Sequence, residues 1–142
     1  MAVAEKWKHT LPLMFSTSEA AERVLDAIKP DQRIMALYLF GSRASNKETS
    51  ESDIDLAFFT SGDFSWDDYY LLHGSVAKCL KTDRFNLLWL NKADSIITFD
   101  VIATGKLLFY RDADKLNDFE LKAKKNFYDY KLYLKRHMNN GL

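Results

Sequence analysis

Two aspartates, Asp53 and Asp55, flank Ile54 where an apolar run begins, and ten residues earlier another apolar run ends in Gly41-Ser42. Side chains alternate along a strand, so Asp53 and Asp55 share one face while Ile54 and Leu56 share the other. Two carboxylates at a strand end suit hard divalent cations such as Mg²⁺, which take oxygen ligands and keep water and phosphate oxygens in the rest of their shell. A pair of such ions holds the charge of a nucleoside triphosphate and neutralises its leaving group during an in-line displacement. Gly41 would let the backbone approach a phosphate, and Ser42 adds a hydroxyl and an N–H. A short helix beginning after Ser42 would aim further N–H groups at the same anion. Arg43 either reaches a phosphate or pairs with an acid of the following loop.

Taken alone, a D-x-D at a strand start is ordinarily two solvated acids at a sheet edge, and a lone G-S says less. The combination is what carries meaning: a buried-type strand, G-S at its end, a polar excursion, then D-x-D opening a second strand. Other chemistries have less support. No G-x-S-x-G surrounds Ser42, and no P-loop or G-x-G-x-x-G pattern occurs, which argues against a nucleophile elbow and against P-loop or dinucleotide sites. His9, His73 and His137 lack metal-ligand spacing and read as surface or packing residues. Cys79 falls on the apolar side of a helical segment, as a small core residue would.

The elements needed to position these groups are legible on both sides. Ser16-Thr17-Ser18-Glu19 reads as a capping box opening a helix through Ile28, which Pro30 and Asp31 close. Ile34 to Phe40 is almost uninterruptedly apolar, as expected of a central strand covered on both faces. The polar stretch from Arg43 to Ser52 suits an exposed loop or short helix, and Asp53 to Thr60 forms the second strand. Ser65 caps a helix from Trp66 to about Leu80, in which Gly74 is the weak position. Arg84 to Leu90 reads as a third strand, and Asp94 or Ser95 caps a short helix ended by Gly105. Leu107 to Tyr110 makes a short edge strand. Leu116, Phe119, Ala123, Phe127, Tyr130 and Leu134 then recur at helical spacing, giving a long amphipathic helix over about 114–138. Its aromatic residues lie on more than one side, so it packs on the sheet, presents a partner surface, or does both. The first fifteen residues give little beyond Trp7, Leu11, Leu13 and Phe15 as packing candidates.

Strands alternating with helices predict an α/β (α+β) fold, a small mixed sheet flanked by helices, with a core over about 16–112. At 142 residues, 47% hydrophobic and 14% aromatic, one domain over 1–142 with a full core is expected. Lysine plus arginine equals aspartate plus glutamate, 20 each, so no strong nucleic-acid binding is expected. The single cysteine excludes a disulfide framework within the chain. With neither a signal-peptide pattern nor an apolar stretch long enough to span a bilayer, the expectation is a soluble protein of the reducing cytoplasm.

Gly41-Ser42, ten residues, then Asp53-Ile54-Asp55 resembles the G-S-x10-D-x-D signature of the nucleotidyltransferase superfamily that includes DNA polymerase beta and the aminoglycoside nucleotidyltransferases. LYLFGSRA and SDIDLAFF, continuing through NLLWLNKA and VIATGKLLFYRD, look like the minimal nucleotidyltransferases (MNT). The resemblance covers roughly Ile34 to Asp112. It implies the nucleotidyltransferase fold, with Gly41 and Ser42, and Arg43 if it turns inward, holding the triphosphate of ATP, and Asp53 and Asp55 holding Mg²⁺. It also implies a HEPN-domain RNase toxin as partner in a hetero-oligomer, silenced by binding or by transfer of AMP to a toxin tyrosine. One departure stands out: relatives usually carry a third acid on the next central strand, where this chain has Asn86 in Asn86-Leu87-Leu88-Trp89-Leu90. An amide offers a neutral oxygen but cannot take the proton of an attacking hydroxyl, so slower transfer is expected. Asp83, offset by three residues, falls on the other strand face and is a poor substitute. Two alternatives stay open: an antitoxin acting by binding alone, and an aminoglycoside-type enzyme, for whose extra substrate domain the chain leaves little room.

Overall fold

Packing in this chain is arranged around two adjacent apolar strands. The computed structural model describes residues 13–45 and 53–140. Strands β1 (Ile34–Phe40), β2 (Ile54–Thr60), β3 (Phe85–Trp89) and β4 (Lys106–Tyr110) form one sheet in the order β3-β2-β1-β4. β1 is antiparallel to β2 and β4, while β2 and β3 are parallel, so the sheet is mixed as its sequence predicts. The strand carrying Asn86 is an edge strand, whereas the resemblance places the third-acid segment on a central one. Only β1 and β2 are flanked on both sides, which is why they alone read as near-continuous apolar runs.

Helices α1 (Thr17–Ile28) and α2 (Trp66–Leu80) cover one face, and α3 (Ser95–Thr104) and α4 (Ala113–Asn140) lie on the other. Val24 and Ile28 of α1 and Val76 and Leu80 of α2 cluster with Leu37, Leu39, Ile54, Leu56 and Phe58. Val101 and Leu116 join Ala36, Tyr38, Ala57 and Phe59 on the opposite face. β1 serves both cores through a bulge: its register with β2 shifts between Ile34 and Ala36, so Met35 and Ala36 fall in the same cluster while Leu37 returns to the other. α4 is fastened by the Phe119 ring stacked on Phe59 at 4.1 Å and by the Tyr38 hydroxyl, which donates to Glu120 Oε1 at 2.8 Å. Burial, reinforced by that carboxylate, holds the Tyr38 hydroxyl well above its ordinary pKa. Farther along α4, Phe127 stacks on Phe99, while Tyr128, Tyr133 and Met138 are exposed, so the helix both packs and presents a free aromatic surface.

Local details sharpen or correct the sequence reading. Ser16 caps α1 by accepting from the Glu19 N–H, but the Glu19 carboxylate lies 4.0 Å from the Arg23 guanidinium, and the reciprocal capping box occurs at Ser65 and Asp68 instead. Asp94 caps α3. Asp112 accepts from the Asp114 and Lys115 N–H groups, starting α4 one residue before the predicted Asp114. Cys79 is only half-buried, since Leu72, Val76 and Leu80 take the inner stripe. The expectations for His9, Trp7, Leu11 and most of the polar loop lie outside the described residues. Among the described residues no helix is long and apolar enough to cross a membrane.

Arg33 joins the entry of β1 to the start of α2. Its guanidinium donates to both carboxylate oxygens of Asp31, to Asp68 Oδ2 at 3.0 Å and to the Asp63 carbonyl at 3.0 Å. These bonds hold Asp31 below the usual carboxylate range; Asp68 is lowered chiefly by the Ser65 N–H and then by Arg33. Because both folded pKa values are depressed, their contribution is present above about pH 4 and drains away as pH falls through them. Arg33→Met is therefore expected to be less stable than the parent at neutral pH, with the gap closing below about pH 4. Urea midpoints measured across that range check it, and a pH-independent gap would remove the electrostatic account.

Candidate active site

Strand register brings the motif residues together. Phe40 pairs with Asp55 across β1 and β2, and Asp55 pairs with Asn86 across β2 and β3, so three strand ends meet in one row. β1 stops there because Gly41 adopts a left-handed conformation with φ of 76°, a region that costs residues bearing a Cβ. The Ala44 N–H closes the following turn onto the Gly41 carbonyl at 3.1 Å, and no regular helix forms over residues 41–45. A Cβ on Gly41 would collide with Asp55 Oδ2. Glycine is thus required twice, by the backbone and by the carboxylate beside it.

Ile54 is fully buried and turns its neighbours Asp53 and Asp55 to the opposite face, where both are half-buried. Asn86 Nδ2 donates to Asp55 Oδ1 at 2.6 Å; only the amide nitrogen can face a carboxylate in this way. Arg84 Nε donates to Asp53 Oδ1 at 3.2 Å. Each carboxylate therefore holds one donor from the start of β3 or the residue preceding it. The Arg84 and Asp53 side chains are 38% and 42% exposed, so water screens their attraction.

The remaining sequence candidates divide. Ser42 lies half-buried in the turn directly after Gly41. Arg43 is buried, and its Nη1 donates to Thr17 Oγ1 at 2.9 Å, joining the turn to the first residue of α1. Asp83 lies before the first residue of β3, where its carbonyl accepts from the Phe85 N–H. Two contributions went unnoticed in the sequence. Arg84 precedes Asn86 by two residues, and the same alternation that pairs Asp53 with Asp55 would have put both on one face. A cleft of about 450 Å³ opens beside Asp55 and Asn86, walled by Phe40, Tyr69, His73 and Phe85. No local spacing announces it, because its walls come from three separate elements. Tyr69 is anchored by its hydroxyl, which donates to the Leu87 carbonyl at 2.6 Å and is pushed up in pKa by burial.

The donor set is all oxygen, comes from the start of β2 and the residue just before it, and one member, Asp55, lines an open cleft. Among the described residues no group of three or more His, Cys, Asp and Glu could hold a metal ion. Two carboxylates alone suit a cation that completes its shell with water and phosphate oxygens, as Mg²⁺ does, and fit poorly a metal demanding a full protein cage. Asp53 and Asp55 are the residues that would hold it.

A mixed sheet ending in a glycine turn against paired aspartates is the layout of a nucleotidyltransferase domain. The profile of the family described as "Polymerase beta, Nucleotidyltransferase" matches residues 22–114, and the chain belongs to that family. No curated protein matches it in sequence. Among solved structures, a toxin–antitoxin with AMP-PNP aligns at a TM-score of 0.71 and 20% identity, over 84% of this chain and 96% of that one. A variant MntA–HpeT toxin–antitoxin, with two aspartates separated by one residue changed to glutamate, gives 0.70 and 18% over 84% and 96%. A tri-AMPylated Shewanella oneidensis HEPN toxin in complex with MNT antitoxin gives 0.61 and 22% over 84% and 91%. These likenesses establish the fold.

Gly41→Ala is expected to cost about 1–2 kcal/mol in stability through the left-handed backbone. The easier relief of the collision is rotation of the Asp55 carboxylate, so Mn²⁺ affinity should fall by about tenfold or more. Thermal melts and Mn²⁺ titration check both. Undiminished metal binding would show that Gly41 does not set the position of Asp55.

Proposed function

We propose that this chain is an MNT-type antitoxin that neutralises a HEPN RNase toxin by transferring AMP from ATP to a toxin tyrosine, the two proteins forming a hetero-oligomer in the cytoplasm. The observation that carries the reading is the contact of Gly41 with the Asp55 carboxylate, with Asp53 on the same face, within a family of nucleotidyltransferases. Fold neighbours crystallised as toxin–antitoxin complexes, one with AMP-PNP and one with an AMPylated toxin, support the nucleotide and the partner. The altered aspartates in the variant relative have the spacing of Asp53 and Asp55.

In the proposed reaction the acceptor hydroxyl oxygen bonds to the α-phosphorus of ATP as the bond to pyrophosphate breaks, and the hydroxyl proton is released to water. Mg²⁺ supplies charge to the triphosphate and to the departing pyrophosphate when it is bound by Asp53 and Asp55. The turn at Gly41 and Ser42 admits the phosphates close to the backbone and offers N–H and hydroxyl donors, and Asn86 steadies Asp55 through its amide. Asn86 has no basic oxygen to accept the hydroxyl proton, so catalysis rests on positioning and charge. That feature favours, as a second reading, an antitoxin acting chiefly by occlusion.

Co-purification with the product of a neighbouring HEPN-type gene, then mass spectrometry with and without ATP and Mg²⁺, separates the two: an added AMP mass on the toxin requires transfer. Asn86→Asp places a like charge against Asp55 and should lower metal-free stability slightly. It should raise the rate of AMP transfer by about tenfold or more. No gain in transfer would remove Asn86 as the limiting residue.

A further inference from the structure

The carboxylate centre contains a cation of its own. Arg84 Nε lies 3.2 Å from Asp53 Oδ1, while the amide of Asn86 takes Asp55 Oδ1 at 2.6 Å. In a centre with three carboxylates, two divalent ions can be shared among the acids. Here a neutral amide and a guanidinium each engage one of the two acids, and among the described residues no group of three or more His, Cys, Asp and Glu could hold a metal ion. Two divalent ions on two partly engaged carboxylates would leave a large uncompensated positive charge before any nucleotide arrived.

Resting on the nucleotide-binding reading above, we propose that Arg84 takes the place of a second metal ion: the centre binds one divalent cation, and Arg84 moves from Asp53 to the triphosphate when that cation and the nucleotide bind. Three features favour the exchange. The pair is over a third exposed on both sides, so it is screened and weak. Arg84 lies just ahead of edge strand β3, where the sheet does not confine its side chain from both sides. The guanidinium also presents a planar fork of donors that matches phosphate oxygens better than it matches a single carboxylate oxygen. Arg84 is thus a positioning residue for Asp53 in the empty centre and a phosphate ligand in the loaded one.

The test is a comparison of the parent chain with Arg84→Met and Arg84→Lys. Mn²⁺ binding is followed by electron paramagnetic resonance without nucleotide and, for stoichiometry, with AMP-PNP present, and AMP-PNP binding by calorimetry at saturating Mn²⁺. The parent should bind one Mn²⁺ in the presence of AMP-PNP. In Arg84→Met, nucleotide-free Mn²⁺ affinity should rise about two- to fivefold because the competing cation is gone. Affinity for AMP-PNP should fall by about tenfold or more through loss of a charge-assisted contact. Arg84→Lys should recover part of the nucleotide affinity, since the charge is kept without the fork. Shifts of opposite sign are not produced by loss of structure, which would weaken both, and thermal melts report folding separately. Two Mn²⁺ per parent chain, or both affinities falling together, overturns the proposal while leaving nucleotide binding in place. A parent that binds neither Mn²⁺ nor AMP-PNP overturns this inference and the functional reading together.

Discussion

The contact between Gly41 and Asp55 is a steric constraint from which the remainder of the centre follows. Antiparallel pairing sets Phe40 opposite Asp55, so the residue after β1, Gly41, passes directly over a carboxylate with no room for a side chain. The left-handed turn at Gly41 then leads the chain away and leaves its amides and the Ser42 hydroxyl beside the acid. A shift of one residue between β1 and β2 would send Asp55 into the core and Ile54 into solvent, and burial of Ile54, Leu56 and Phe58 between two helices opposes that strongly. The hydrophobic core therefore determines the position of the polar site that lies at its end.

Charge distribution decides what such a site can do. Two carboxylates steadied by an amide and a guanidinium form a centre less negative than three acids would make. In the proposed reading, such a centre would hold a metal–nucleotide without a strong general base at Asn86, which would suit slow modification of a bound partner or plain occupancy more than rapid turnover. The long helix α4 fits the same picture, since its first half is fastened to the sheet through Phe119 and Glu120 while Tyr128, Tyr133 and Met138 stay in solvent.

Much of the fold was legible because the signals are local. Apolar runs marked β1 and β2, helical spacing marked α1, α2 and α4, and Ser16, Ser65 and Asp94 marked helix starts. Gly41, Ser42, Asp53 and Asp55 were legible for the same reason, as short-range patterns whose alternation follows from strand geometry alone. Other features were not. That β3 lies at the edge, that Arg43 turns to Thr17, and that Arg84 and Asn86 each take one oxygen of a different aspartate depend on pairing between segments about thirty residues apart in the chain. The sequence by itself determined which residues could bind a metal and a phosphate, because residue type and strand period carry that information. Only the tertiary structure decided which partners those residues have, because parallel pairing of β2 with β3 is what brings an amide and a guanidinium onto the two carboxylates.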